Sequence, residues 1–444
     1  MKTIIHRFFL SIVCLGLLYA WLDASEPVKD FSPGPEEKQL PLAMHSSMKT
    51  LPSISVGHEK ADLIGKDNRA LQAAVDYIAG LGGGTVEIRE GRYEMYDSLH
   101  LRSNVKVRGK KGLTILHKAK AAVSLLALDG DFGEQQITLV NPEGFKVGYG
   151  VAVRDDKAAG FHTTVARITG RTGNSFSIDK PLMADCMTQR NAKAATIFPV
   201  ISGYNIVNAQ IEGITVEGAR ESNPRLNGCR GAGLFLYRGF GTVMKDCTIK
   251  NYNGDGISFQ QSNDVKVISS TCEANAGLGL HPGSGSQRPV IRKCISRKNG
   301  EDGLFLCWRV RHGVFESNLL EGNKRFGISI GHKDSDNLLR NNTIRLNCKS
   351  GVFFRNETLG MGAHRNQLIG NIIENNSASG QGAGIRIRGE TNGLILKGNT
   401  IRDTRQKDKK TQTVGILVEE HVGEITIEDN KIDAETDIID KRKK

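Results

Sequence analysis

Aromatic residues are scarce in this chain of 444 residues, at 6% with only two tryptophans, and it carries no nucleic-acid-binding motif. A basic chain without aromatic platforms or such a motif is not read as a nucleic-acid partner. Cysteine is present but never as a C-x-x-C pair, so spacing supports no metal site and no zinc. Long apolar runs are missing too, with one exception from Phe8 to Leu22. That run is short for a membrane span. It is preceded by Lys2, His6 and Arg7, and it is followed by Ala24 and Ser25 with no stop-transfer pattern. Residues 1–24 therefore read as a secretory signal peptide, with a membrane anchor as the alternative. The expected location is secreted or periplasmic, without stable membrane insertion.

Charge of one sign is in excess. Losing Lys2, Arg7 and Asp23 with the signal takes 60 basic and 48 acidic residues to 58 and 47, a formal charge of +11. Outside the cytoplasm such an excess points to anionic partners, acidic polysaccharides first. Seven cysteines remain: Cys186, Cys229, Cys247, Cys272, Cys294, Cys307 and Cys348. Their odd number rules out complete internal pairing.

Residues 25–60 are proline-rich and aperiodic and read as a linker or arm. Residues 61–130 begin with Asp67 as a helix cap and Leu71, Ala74, Val75 and Ile78 on one helical face. Gly82 to Gly84 stop that helix, and short alternating strands (TVEI, SLHL, NVKV) follow. Residues 131–200 read as a small β insertion of alternating strands and turns. From 201 to 444 the chain repeats. Glycine-led strands start at 233, 256, 279, 303, 327, 351, 384 and 415, the first six of them 23 or 24 residues apart. A period this regular marks a solenoid, and glycine at each start fits positive φ or tight stacking. Cys247, Cys272, Cys294, Asn318 and Asn342 are placed in one buried ladder, with the cysteines reduced and packed.

The stretch DNRALQAAVDYIAGLGGGTVEIREGRY resembles the opening of the pectate-lyase superfamily. The resemblance implies a right-handed parallel β-helix with an N-terminal capping helix, and usually a carbohydrate substrate. The period independently supports an all-β solenoid of about 23–24 residues per rung.

Alternation sends the first and third residues after each glycine into the core and the second and fourth outward. Stacked rungs lie roughly 4.8 Å apart, so the outward residues form one strip. It carries Tyr237, Arg238, Gln260, His281, Arg309, His332, Lys333, Arg355 and Arg388, with Gly283, Ser284 and Gly331 leaving room beside them. The element GLHPGSG loosely resembles the G-F-D-P-H-[DE] site of mannuronan C5-epimerases. Leu280 and Pro282 match in place, while His281 stands where that family has aspartate and Gly283 where it has histidine. The resemblance implies a site location and does not transfer its catalytic residues.

A histidine near its ordinary pKa of about 6.5 suits proton abstraction beside a carboxylate, and arginine suits gripping that carboxylate. The expected roles are His281 or His332 as base, Arg309 as neutraliser, and Tyr237 or the other histidine as acid. Arg238, Gln260, Lys333, Arg355 and Arg388 are expected to bind substrate. The expected function is a polysaccharide lyase or C5-epimerase on a uronate-containing polysaccharide. A β-helical glycoside hydrolase and a non-catalytic binding or envelope solenoid stay open. Glu357 and Glu390 are too few and too displaced for the hydrolase to be preferred. No cofactor is required; calcium is left open, although Asp334, Asp336 and Glu357 form no coordinating loop. No trimerisation pattern is visible, and the oligomeric state is open.

Overall fold

The computed structural model describes residues 50–378 and 382–442. The signal peptide assigned to 1–24 and residues 25–49 of the arm lie outside the described residues. The end of that arm is different from its expectation. Ser53–Gly57 is a strand, pairing in parallel with Gly84–Ile88 and burying Val56 completely. Its S-I-S-V alternation is a strand pattern that the neighbouring prolines obscure.

Helix α1 spans Asn68–Gly80, with the Asp67 side chain accepting from the Arg69 N–H. Leu71, Ala74, Val75 and Ile78 are its buried face, packed on the first coils. Beyond it the chain winds through three parallel sheets of 13, 11 and 11 strands. One continuous apolar core fills the solenoid from Val56 to Val422. The glycine-led strands all lie in one sheet, which includes Ala232–Tyr237, Asp255–Gln260, Leu280–Gly283, Leu304–Phe305, Ile328–Ile330 and Val352–Phe354. Their register stacks His281 between Ser258 and Phe305 in sequence of rungs, with Leu280 aligned on Leu304. As expected, the first and third residues after each glycine are core, among them Leu234, Phe259, Leu306 and Ile330.

The rung glycines answer to close approach and not to positive φ. A Cβ on Gly256, Gly279, Gly303 or Gly327 would lie 2.6–2.8 Å from the carbonyl oxygen of the glycine one rung on. Any larger residue would push the coils apart. Two asparagine ladders lock the corners. One runs Asn318, Asn342, Asn371, Asn399, Asn430, and the other Asn275, Asn299, Asn323, Asn347, Asn376 and then Gln412. Each side-chain oxygen accepts from the preceding rung, so buried backbone N–H groups find partners that the corner would otherwise deny them.

Among the described residues, Cys186, Cys229, Cys247, Cys272, Cys294 and Cys307 form no disulfide. Cys247 and Cys294 occupy the first ladder, Cys294 donating its backbone N–H to Asn318. Cys272 does not: Ser270 holds that place, and Cys272 faces the core of the next strand, opposite Ile249 and Ser296. The two-residue offset arises because corner and strand positions both favour a small buried side chain.

The insertion is a six-stranded antiparallel barrel running from Val123 to Ala195, a little earlier than the 131–200 expected. The Leu126–Leu139 bridge closes it, and Phe145, Val151, Ile168 and Phe176 fill it. Among the described residues, no helix is long and apolar enough to cross a membrane.

Candidate functional site

The outer face of the glycine-led sheet carries the expected residues, but much of it is covered. Between Glu217 and Ala232 the chain makes a 14-residue excursion (218–231), where the next coil uses four residues (251–254). This strap lies on the sheet. The Gly228 carbonyl accepts from Ser258 Oγ at 2.6 Å, and the Asn223 carbonyl accepts from Asn253. A Cβ on Gly228 would sit 1.7 Å from an Asp255 carboxylate oxygen, so only glycine allows the strap this close. The barrel touches the strap from the other side, where Arg230 donates to the Phe161 carbonyl.

Beneath the strap, His281 is 3% exposed. Its Nδ1 bonds to Asp255 Oδ2 at 2.7 Å, with Ser258 Oγ at 3.5 Å, while Nε2 makes no hydrogen bond of normal geometry. Burial opposes a charge on this imidazole, but the Asp255 carboxylate outweighs it, with a smaller pull from the Cys307 sulfur on the next rung, and the pKa is pushed up to about 10. His281 is thus a charged donor, not the neutral base that an ordinary histidine would be. Gln260 is buried beside it, donating to Ser258 Oγ. The gap expected at Gly283 is filled by the Gln260 amide, 2.6 Å from where a Cβ would stand.

His332 lies two rungs further on, at the turn. Its Nε2 pairs with Glu357 at 3.0 Å, and its ring stacks on Trp308 with centroids 5.4 Å apart. Burial, then the nearby Arg355 charge, lowers its pKa against the opposing pull of Glu357. Trp308 is 41% exposed. Arg309 is exposed as well, its guanidinium 5.7 Å from the Trp308 ring and its backbone N–H bonded to the His332 carbonyl. Trp308, Arg309, His332 and Lys333 all have φ between 49° and 67°. The equivalent turn residues Arg238, Gln261 and Ser284 are left-handed too, so this backbone belongs to the coil corner and does not by itself mark a site.

Arg355 is engaged within the fold. It donates to Ser329 Oγ, the Leu306 carbonyl and Asp334, and lies over the Phe305 ring at 4.5 Å. It also fills the gap expected at Gly331. Arg238 reaches Gln261, and Tyr237 stands four rungs before His332 against Tyr204. Arg388 is half-buried at the far end of the strip. The structure therefore brings Arg309 to His332 and leaves Tyr237 and Arg388 apart from them. Among the described residues, no group of three or more His, Cys, Asp or Glu could hold a metal ion.

Sequence reasoning missed Asp255 and, although the outward strip includes Trp308, gave that residue no role. Asp255 immediately precedes its rung glycine, a position that strict alternation would turn inward with Ile257 and Phe259, and Asp302 repeats it two rungs on. Burial lifts the Asp302 carboxyl to about 6.

No curated protein sequence matches the chain. Among solved structures, the A-module of a mannuronan C-5 epimerase from Azotobacter vinelandii is similar over 86% of this chain and 97% of its own, with 16% identity and a TM-score of 0.51. The ORF18 protein of Geobacillus virus E2 is similar over 87% of this chain and 62% of its own, with 12% identity and a TM-score of 0.52. Both likenesses concern the fold. The right-handed β-helix region profile matches residues 188–344 and 307–432, more than half of the chain. The chain belongs to the right-handed β-helix family.

Proposed function

We propose that this β-helix acts on an acidic, uronate-containing polysaccharide as a lyase or C5-epimerase. One observation carries the reading: two histidines on one face have environments that drive their protonation in opposite directions. Paired groups pushed apart in this way are suited to acid and base roles in one reaction. His332, kept neutral, takes the proton beside the carboxylate. Arg309, on the rung between the two histidines, grips the carboxylate and stabilises the charge that develops there. His281, kept charged by Asp255, delivers a proton to the leaving oxygen or to the opposite face of the ring. Trp308 offers an exposed platform for a sugar ring, flanked by Arg309 and Lys333. Tyr237 is about 14 Å from the Arg309 rung along the stack, which leaves it a binding role. An epimerase of mannuronan with a similar fold supports the substrate class.

Both reactive nitrogens are covered. The strap lies over Asp255 and Ser258, and His332 Nδ1 is shut off from solvent. Turnover thus requires the strap and Trp308 to shift when sugar binds. That same cover favours a second reading, a non-catalytic polysaccharide-binding solenoid. A panel of uronate polysaccharides, followed by ultraviolet absorbance for the unsaturated product and by NMR for inverted C5, tests both. Product that H332A and R309A abolish supports the enzyme. Binding without product, under every condition, selects the solenoid.

A further inference from the structure

A second relay lies on the same sheet, closer to the N-terminus and against the barrel. His100 Nε2 is 3.0 Å from Asp97 Oδ2, and His100 Nδ1 is 3.0 Å from Ser202 Oγ. Strands Leu99–His100 and Ile201–Tyr204 are adjacent, with His100 and Ser202 directly opposed. The proton placement that satisfies all three groups has the hydroxyl donating to Nδ1 and Nε2–H donating to the carboxylate. Asp97 is buried, Ser202 is 1% exposed, and the His100 side chain is 23% exposed. The backbone needs none of this for support, since the His100 N–H and carbonyl are both bonded to the Gln72 side chain.

We propose that Asp97, His100 and Ser202 form a hydrolytic centre for carboxylic esters with a small acyl group. Ser202 Oγ bonds to the ester carbonyl carbon while His100 Nδ1 takes the hydroxyl proton. The carbon–oxygen bond to the alcohol breaks, and His100 returns that proton to the leaving alkoxide. Water then attacks the acyl-serine through the same imidazole, releasing the acid and restoring Ser202. Asp97 fixes the ring orientation and faces the imidazolium that forms. The two ring nitrogens exchange their more familiar partners, which leaves the proton path unchanged. Tyr204, Phe235 and Tyr237 form an aromatic wall beside Ser202, with ring centroids 5.8 and 6.3 Å from Tyr204. Lys180, whose ammonium lies 3.9 Å from the Tyr204 ring centroid, brings positive charge to the same face. With Ser202 buried, the ester approaches over the exposed edge of His100, which limits the acyl group to a small one.

The full chain would be treated with a fluorophosphonate probe and, separately, with p-nitrophenyl acetate. The expected result is one phosphonate, mapped to the peptide holding Ser202, and ester hydrolysis that S202A abolishes. H100A should prevent the labelling and lower hydrolysis by about a hundredfold. Thermal unfolding of S202A, which loses one hydroxyl, checks its fold, and labelling of the wild-type chain needs no variant. Phosphonate on another residue, no phosphonate at all, or hydrolysis unchanged by S202A would each overturn the proposal.

Discussion

Asp255→Asn is the most informative change to the proposed reaction. It keeps the volume and the acceptor for the Leu278 N–H but removes the charge that holds the proton on His281. Burial remains and now acts unopposed by that carboxylate, so the His281 pKa should fall from about 10 to about 6.5 or below. At about pH 8 nearly all wild-type His281 is protonated, against at most about 3% in the variant. If His281 is the acid, the variant should be about 30-fold slower at that pH and recover toward wild type as pH falls toward about 6. The lower limb, set by His332, should not move. Stability carries the same sign. A histidine whose pKa is raised on folding contributes stability that is complete below about 6.5 and is lost as pH rises through about 10. Wild type should therefore lose resistance to urea across that window, and Asp255→Asn should be nearly flat. Initial rates and urea midpoints measured across this range decide the matter. An upper limb shared by both proteins would refute His281 as the acid.

The same structure makes further predictions. Asn323→Ala removes the acceptor for Asn299 and the donor to the Ser296 carbonyl, stranding buried backbone groups. It should cost about 3 kcal/mol in urea unfolding, while the exposed Asn174 changed to Ala costs much less. Arg309→Ala and Trp308→Ala should each weaken binding of a uronate oligosaccharide about tenfold by calorimetry, with only the arginine's contribution fading at high salt. Gly331→Ala would place a Cβ 2.5 Å from Arg355 Nε, displacing the guanidinium from Ser329 and Asp334. Its thermal midpoint should fall, whereas Arg309→Ala leaves that midpoint near wild type.

The solenoid was legible because its signals are local and repeated. Each coil from residue 256 onward carries its own glycine, its own alternating strand and its own corner asparagine, so one register explains them. Helix α1 was legible for the same reason, with cap, apolar face and stop within some 18 residues. Cys272 was misplaced where two small-residue positions lie two residues apart and the pattern cannot separate them. The barrel's extent was blurred because its strands Val123–Leu125 and Lys193–Ala195 pair across a long separation. The site was less legible than the fold. The column of His281, Arg309 and His332 followed from the period, yet the state of His281 depends on Asp255, 26 residues earlier, and on a strap that no periodicity describes. Gly283 and Gly331 read as empty space, but side chains from neighbouring rungs occupy both.

A β-helix places residues of one column a rung apart whatever their chemistry, so a reactive set can arise from residue choices made every 23 or 24 positions. What the repeat cannot supply is a distinct environment for each member, because every rung offers the same sheet and the same solvent. The differences here come from departures from the repeat. The strap buries Asp255, Ser258 and His281, and it can do so only because residue 228 is glycine. The barrel brings Lys180 onto Tyr204, two residues along the strand from Ser202. The turn at Trp308 and its counterpart at His332 share the left-handed backbone of the equivalent corners at Arg238, Gln261 and Ser284, but they differ in side chain, stacking an exposed indole on an imidazole. Each irregularity thus creates a different electrostatic setting on an otherwise uniform face: a held imidazolium, a buried relay and an exposed aromatic edge. Their order along the sheet follows from where the chain leaves the repeat, which is why the chemistry is concentrated beside the two long excursions and the Trp308–His332 stack.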